Sequence, residues 1–334
     1  MAPRRFPTLA EALDDWLTVR SAGRGLSPNT ERAYRADLER VAQELAAPAR
    51  DGDERLAVER ITVAALKPQR LVDALAAIQR AKAAPATRSR IHGTLTQLCA
   101  HLVHQGVLAA DPMTVAGLER PKLQRSLPRY IERDDDIARV LAAAGTADPD
   151  GRQVWPERDL ALAAVLLGTA ARAGEVCAMR FGDLLLDVED PYVRVVGKGR
   201  VTRDCPLPQE LVAAVEVYIT SLSERVKRQP RPRDPVWLNN KGNPLTPQAL
   251  DHYVRRWFSR AGVPLPDGAE AHVFRHTVAM QLVGRGEALN VVQALLGHSS
   301  LRSTEIYIRA AGHHVREAAH TLPISGQLRS QSKA

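Results

Sequence analysis

Six side chains between residues 172 and 307 have types that suit a common chemistry, namely Arg172, Lys198, His272, Arg275, His298 and Tyr307. Guanidinium groups stay charged and bind anionic oxygens through paired hydrogen bonds. Imidazoles exchange protons near neutral pH. A phenol, with a pKa near ~10, is a weak nucleophile without help. Taken singly, none decides. Arg172 follows a long apolar stretch, where a lone arginine is ordinarily a surface or salt-bridge residue. Lys198 in Gly197-Lys-Gly-Arg200 is at a hairpin tip and is ordinarily just solvated. His272 and Arg275 are three apart and share a helical face, an arrangement more often structural than catalytic. His298 follows Gly297 at the end of an apolar helix, a common place for histidine. Tyr307 is one of six tyrosines, and His276, next to Arg275, reads as structural.

Order and spacing change those odds. Thr169-Ala-Ala-Arg172-Ala-Gly-Glu175 is followed by Gly197-Lys198-Gly199, then His272-Val-Phe-Arg275-His276, Leu295-Leu-Gly-His298 and Thr304-Glu-Ile-Tyr307. His298 comes 23 residues after Arg275, and Tyr307 nine after His298. In this order the five segments closely resemble the tyrosine recombinase (phage integrase) family, in particular its compact Xer-like members. The N-terminal Gly25-Leu-Ser27-Pro-Asn-Thr30 and Tyr34 resemble the opening of the family's core-binding domain, so the likeness spans almost the whole chain. Departures are mild. Ala170 and Ala171 replace the usual glycine and leucine, Phe274 the usual leucine, and Asp111-Pro112 stands where Asn-Pro is common. The two alanines bear on how the turn before Arg172 packs.

The resemblance implies attack of Tyr307 on a DNA phosphodiester, leaving a 3′-phosphotyrosine. Arg172 and Arg275 would neutralise the non-bridging oxygens, most strongly as charge builds in the transition state. His272 would be the base, in a cationic pocket that favours the phenolate. His298 would hydrogen-bond a phosphate oxygen, Lys198 would protonate the departing 5′ oxygen, and Glu175 would orient Arg172 or a neighbour. Neither metal nor ATP is implied, since the phosphodiester energy stays in the tyrosine bond; there is no metal-ligand spacing and no cofactor motif. The implied partners are double-stranded DNA at a short core site, three further copies in a tetramer on two duplexes joined through a Holliday junction, and accessory DNA-binding proteins.

The elements that must place these residues follow from apolar period and end signals. Thr8 and Glu11 form a capping box ahead of Leu9, Leu13, Trp16 and Leu17. Ser27 caps a second helix with Pro28 at its first position and Tyr34, Leu38, Val41 and Leu45 on one face. Residues 46–56 read as a loop. A third helix falls within 62–81, broken near Pro68, and a fourth over 86–105. Residues 118–128 lack an apolar period and read as a linker. Beyond it, helices are expected at 133–144, 157–170, 173–180, 208–225, 247–261, 272–285, 289–297 and 302–310, with strands at 192–196 and 201–207. The expected class is mainly α with a small β-sheet. It comprises a helical, SAM-like core-binding domain (1–117), the linker (118–128), an α+β catalytic domain (129–312) and a tail (313–334) whose short helix docks on a neighbouring protomer or on its own domain. By resemblance the two domains form a C-shaped clamp on DNA.

Composition sets outer bounds. The 334 residues are 45% hydrophobic and 25% charged, an ordinary globular balance. Lys+Arg is 46 against Asp+Glu 38, a net charge of +8. This hints at a polyanionic partner but equally fits arginine-rich codon usage. DNA contacts are expected from Arg32, Lys82, Arg88, Arg90, Lys227 and Arg228, although a charge run is usually a solvated face. The chain has no apolar run of about 18 residues to span a membrane. Three scattered cysteines form no disulfide framework and suit a reducing cytoplasm, here at the nucleoid. Aromatic residues are only 4%, too few for a single-strand stacking platform. A type IB topoisomerase, using the same tyrosine chemistry as a monomer, and a catalytically silent DNA-binding protein are the alternatives. The Leu-Gly-His298 and Gly-Lys198-Gly forms favour the recombinase. Chromosome-dimer resolution and mobile-element integration stay open. The chain starts at the core-binding domain, which leaves no room for an arm-site domain and favours a simple core-site recombinase.

Overall fold

The computed structural model describes residues 8–46, 58–122, 129–148, 155–197, 201–266, 268, 270–297 and 307. The chain divides into two compact units, Met1–Arg125 and Ser126–Ala334.

The first unit is helical: α1 (Leu9–Arg24), α2 (Pro28–Ala46), α3 (Pro68–Arg80), α4 (Pro85–His104) and the short α5 (Pro112–Val115). The Thr8–Glu11 capping box forms as expected, with Thr8 and Glu11 exchanging backbone-to-side-chain bonds of 3.2 Å. Ser27 Oγ accepts from Thr30 N at 3.1 Å and starts α2. The 62–81 stretch is a 3₁₀ turn (Val63–Ala65) followed by α3, because Pro68 lacks an N–H and can only begin a helix. Leu13, Trp16, Leu38, Val41, Leu45, Ile91, Leu95 and Leu98 form its core. Tyr34 is half-buried, 4.9 Å from the Trp16 ring. Leu118 and Arg120, within the expected linker, attach to α4: Leu118 O lies 3.0 Å from His92 Nε2, and Arg120 Nε donates to Ser89 Oγ at 2.9 Å. Residues 123–128 lie outside the described residues.

The second unit packs α6 (Asp134–Gly145), α7 (Pro156–Thr169), α8 (Ala173–Cys177), α9 (Gln209–Val226), α10 (Pro247–Ala261), α11 (His272–Gly284) and α12 (Leu289–Leu296) around a small sheet. Its strands β1 (Leu184–Leu185), β2 (Tyr192–Val196) and β3 (Thr202–Pro206) run antiparallel in the order β1-β2-β3. β1 pairs only two residues and carries no alternation that sequence could reveal. The core gathers Leu162, Leu166, Val193, Val195, Tyr218, Trp237, Trp257 and Phe274. Within it the Arg158–Asp159 ion pair is almost fully buried and is satisfied by Leu238 O, Asn240 and Trp257.

Candidate active site

Four helix ends and one hairpin bring the chemistry together within the second unit. α7 stops at Ala170, whose backbone is left-handed (φ 49°) although alanine carries a Cβ. This is where the family-like pattern would have glycine, the residue that adopts φ > 0 without steric cost. The turn aims Ala170 O at α11, where Arg275 Nη1 donates to it at 2.8 Å. Arg275 Nη2 donates to Leu296 O, the last residue of α12, at 2.7 Å. The guanidinium is therefore seated on carbonyls at two helix C-termini, where the helix dipoles favour a cation. It is buried (3% exposed). Burial first, and then Arg172, lower its pKa to about 10, which leaves it charged at neutral pH.

Arg172 begins α8, and Glu175 holds it twice. Glu175 Oε2 accepts from Arg172 N at 3.0 Å, and Oε1 accepts from Arg172 Nη1 at 2.7 Å. A third donor, Arg203 Nη2 on β3, reaches Oε2 at 2.9 Å. Burial resists ionisation of Glu175, but the bonds from Arg203 and Arg172 outweigh it and hold the carboxyl below its ordinary range. The expected support of Arg172 by Glu175 thus has a second cation that the sequence reading missed. A signal for it existed. Arg203 pairs across the sheet with Val195, and Cys205 with Val193, so Arg203 lies on the face where Val193, Val195 and Cys205 are buried. A cation on a core-facing strand position needs a carboxylate.

The feet of two further motifs lie beside this ion pair. Gly197 N donates to Val201 O at 2.8 Å and closes the hairpin. A Cβ on Gly197 would lie 3.6 Å from Glu175 Oε1. Gly297 ends α12 at φ 61°, and a Cβ there would lie 2.8 Å from Arg203 Nη1. Lys198, His298, the remainder of the expected 302–310 helix and the 313–334 tail lie outside the described residues.

Tyr307 is helical and 2% exposed, packed with Ala170, Ala279, Met280, Val292 and Leu296. Its Oη lies 2.9 Å from His276 Nδ1. Burial raises the phenol pKa, and the opposing fields of Arg275 and Arg172 do not offset it. The cationic pocket therefore does not produce the expected phenolate in the protein alone; desolvation wins. His272 sits exposed at the start of α11. Partial desolvation, then Arg275, lower its pKa. For half-buried His276, burial and then His272 and Arg275 lower it to about 4, so the imidazole is neutral at pH 7. The spacing places His272 and Arg275 on one face, while His276 beside Arg275 has the look of a structural residue. His276 is four residues after His272 and shares that face.

The residues expected to touch DNA are occupied to different degrees. Arg90 is bidentate on buried Asp37, with Nη2 at 2.7 Å, and Thr94 Oγ1 donates to the same carboxylate at 2.9 Å. Arg228 pairs with Asp234 at 2.5 Å. Arg32 donates to Asn29 at 2.8 Å. Lys82 and Lys227 lie in turns with φ of 55° and 53°, and the Arg88 Nε is buried without a hydrogen-bond partner. Among the described residues, no helix is long and apolar enough to cross a membrane.

Two arginines whose fields reach a buried tyrosine, with the His276 imidazole 2.9 Å from its Oη, make a pocket chemically suited to an anionic ester beside a phenol. The Phage integrase family matches residues 133–314, and the chain belongs to that family. It is 32% identical over 327 residues to tyrosine recombinase XerC of Methylobacterium sp. (strain 4-46), covering 95% of each chain. It is 28% identical over 297 residues to tyrosine recombinase XerD of Listeria innocua serovar 6a, covering 89% of this chain and 93% of the relative. Its fold is similar to that of XerH site-specific recombinase bound to difH substrate in a pre-cleavage complex (TM-score 0.67, 19% identity, 93% and 84% of the two chains). It is also similar to that of a lambda integrase tetramer bound to a Holliday junction (TM-score 0.61, 18% identity, 88% and 78%).

Proposed function

We propose that the protein is a site-specific DNA recombinase that cuts and rejoins duplex DNA through a 3′-phosphotyrosine. The observation that carries this reading is the convergence of Arg275 and Arg172 on Tyr307: both guanidinium groups act electrostatically on the phenol, and Arg275 is fixed before any substrate arrives. In the proposed reaction the two arginines neutralise the scissile phosphate, and Tyr307 Oη attacks phosphorus. The 5′ oxygen leaves with a proton from Lys198. His272 and His298 supply hydrogen bonds or protons at the phosphate, and Glu175 with Arg203 keeps Arg172 in place. The free 5′-hydroxyl of the partner strand then attacks the phosphotyrosine. Bond energy is conserved throughout, so the reaction calls for neither ATP nor metal.

The assembly follows the same reading. Four copies act on two duplexes through a Holliday junction, with the helix in the 313–334 tail donated to a neighbour. Residues 1–117 and 129–312, joined by the 118–128 linker, each contribute contacts to the DNA. Arg32, Lys82, Arg88, Arg90, Lys227 and Arg228 contribute backbone contacts that weaken with salt. The protein works in the cytoplasm on the nucleoid, alone or with accessory DNA-binding proteins. Its similarity to proteins named tyrosine recombinase XerC and XerD supports recombination by this tyrosine chemistry.

A nicked suicide duplex carrying a site enriched from random DNA by the protein itself tests the reading. Wild type forms a covalent adduct that survives denaturation, and Tyr307→Phe does not. Absence of adduct with wild type would leave a silent DNA-binding protein, and adducts on arbitrary DNA would point to a topoisomerase.

A further inference from the structure

The reaction proposed above must place one more proton, the phenolic hydrogen of Tyr307, for which the motif implies His272. Two imidazoles stand one turn apart on α11, His272 and His276, with ring centroids 6.4 Å apart. His276 Nδ1 is in hydrogen-bond contact with Oη at 2.9 Å, and its ring centroid lies 5.8 Å from the phenol ring. We propose, resting on the recombinase reading, that His276 is a catalytic residue, the general base that takes the Tyr307 proton onto Nδ1 during strand cleavage.

The surroundings suit a base of this kind. The charged and titratable groups acting on His276 are His272 and Arg275 on its own helix, with the Tyr307 phenol facing it. Burial first, then His272 and the cationic Arg275, disfavour imidazolium, so the ring rests neutral with a lone pair to offer. Such an imidazole is too weakly basic to ionise a resting phenol, and the proton stays on Tyr307 until a phosphate arrives. Once Oη begins to share an electron pair with phosphorus, its hydrogen becomes strongly acidic. A base whose pKa lies between those two extremes is the effective one for a concerted transfer.

The step balances. The Oη electron pair forms the new O–P bond, and the Oη proton moves to Nδ1. The P–O5′ bond breaks with its pair going to O5′, which takes a proton from the general acid assigned to Lys198. In rejoining, the attacking 5′-hydroxyl returns its proton to that group, and Oη leaves phosphorus while recovering its own from His276. Charge gained by the imidazole is offset by negative charge growing on the phosphorane beside it. His272 is then left to the phosphate oxygens, instead of the role of base that its place in the motif implies.

The test compares single-turnover adduct formation by wild type, His276→Asn and Lys198→Ala on the nicked suicide duplex, made with either an ordinary or a 5′-phosphorothiolate scissile bond. Asparagine keeps an acceptor near the Nδ1 position but cannot hold the proton. We expect His276→Asn to slow cleavage by about 100-fold or more, with DNA affinity and melting temperature kept. A sulfur leaving group needs no acid, so the phosphorothiolate should relieve Lys198→Ala and leave the His276→Asn defect in place. Should the asparagine variant be unstable, His276→Gln, of closer volume, should show the same unrelieved defect. Wild-type rates in His276→Asn, or relief of its defect by phosphorothiolate, would overturn the assignment while leaving the recombinase reading intact. Absence of any wild-type adduct would bring down both.

Discussion

Arg275 donates to the carbonyl of Ala170 at 2.8 Å, across 105 residues of chain, and Ala170 holds a left-handed backbone to receive it. That conformation costs a non-glycine residue about 1–2 kcal/mol, while the buried methyl returns about 0.8 kcal/mol. Ala170→Gly should therefore change stability by less than about 1 kcal/mol and leave cleavage unchanged. Ala170→Val adds branching at positive φ in a site with no exposure and should lose about 2 kcal/mol or more. Urea titration of both variants, with adduct assays, checks this pair.

Arg203 should matter to chemistry without touching DNA. Arg203→Gln leaves Glu175 with one cation and loosens the Arg172 head group. Small misplacement of a positioning group costs up to about 100-fold. We expect adduct formation to fall by about 10- to 100-fold with binding nearly kept. A double-mutant cycle with Glu175→Gln should be non-additive, because the two residues share one network. Additive effects would mean that Arg203 acts elsewhere.

Gly297→Ala meets two obstacles at once. Its φ of 61° is left-handed, and the new Cβ would sit 2.8 Å from Arg203 Nη1. The side chain that must give way is the one bound to Glu175. We expect a loss of about 1–3 kcal/mol together with slower cleavage. Gly286, also at positive φ (80°) but with open space around it, is the control: alanine there should cost stability only.

Acid should destabilise the second unit in two windows. The His276 pKa in the folded protein, about 4, lies below its unfolded value near ~6.5. The unfolded chain therefore takes the proton first, and stability present above pH ~6.5 is lost as pH falls toward 4. Glu175 is also depressed when folded; its contribution is present above its unfolded pKa near ~4.3 and is lost as pH falls through the lowered value. Denaturant titrations at pH 8, 6 and 4.5 should show a smaller drop for His276→Asn than for wild type. An equal drop would contradict the assignment.

Arg90 should be structural as well as a DNA contact. It is half-exposed, but its partner Asp37 is buried at 2%. Arg90→Ala leaves that carboxylate with Thr94, and we expect a loss of about 1–3 kcal/mol. Arg32→Ala, which gives up only a bond to Asn29, should be nearly neutral in stability. Thermal melts separate the two.

Much of this was readable in the chain. Apolar period and end signals placed the helices: Thr8 with Glu11 fixes α1, and Pro28 and Pro68 mark the starts of α2 and α3. Arg172 and Arg275 were legible because each lies in a spaced motif, and Glu175 because it is one turn from Arg172. What escaped depends on long-range pairing. Arg203 meets Glu175 across 28 residues, and β1 is defined only by its partner strand. His276 meets Tyr307 across 31 residues. The state of the phenol escaped for another reason: motif reasoning counts charges, whereas burial sets how much those charges can do.

That burial also makes the proposed nucleophile latent. A phenol that is 2% exposed and keeps its proton is hidden from dissolved electrophiles. Tetranitromethane should nitrate the more open Tyr34 and Tyr192 well before Tyr307. The packing of Ala279, Met280, Val292 and Leu296 around one ring thus keeps solvent from the hydroxyl that lies against His276, so that only a partner seated in the same pocket can reach it.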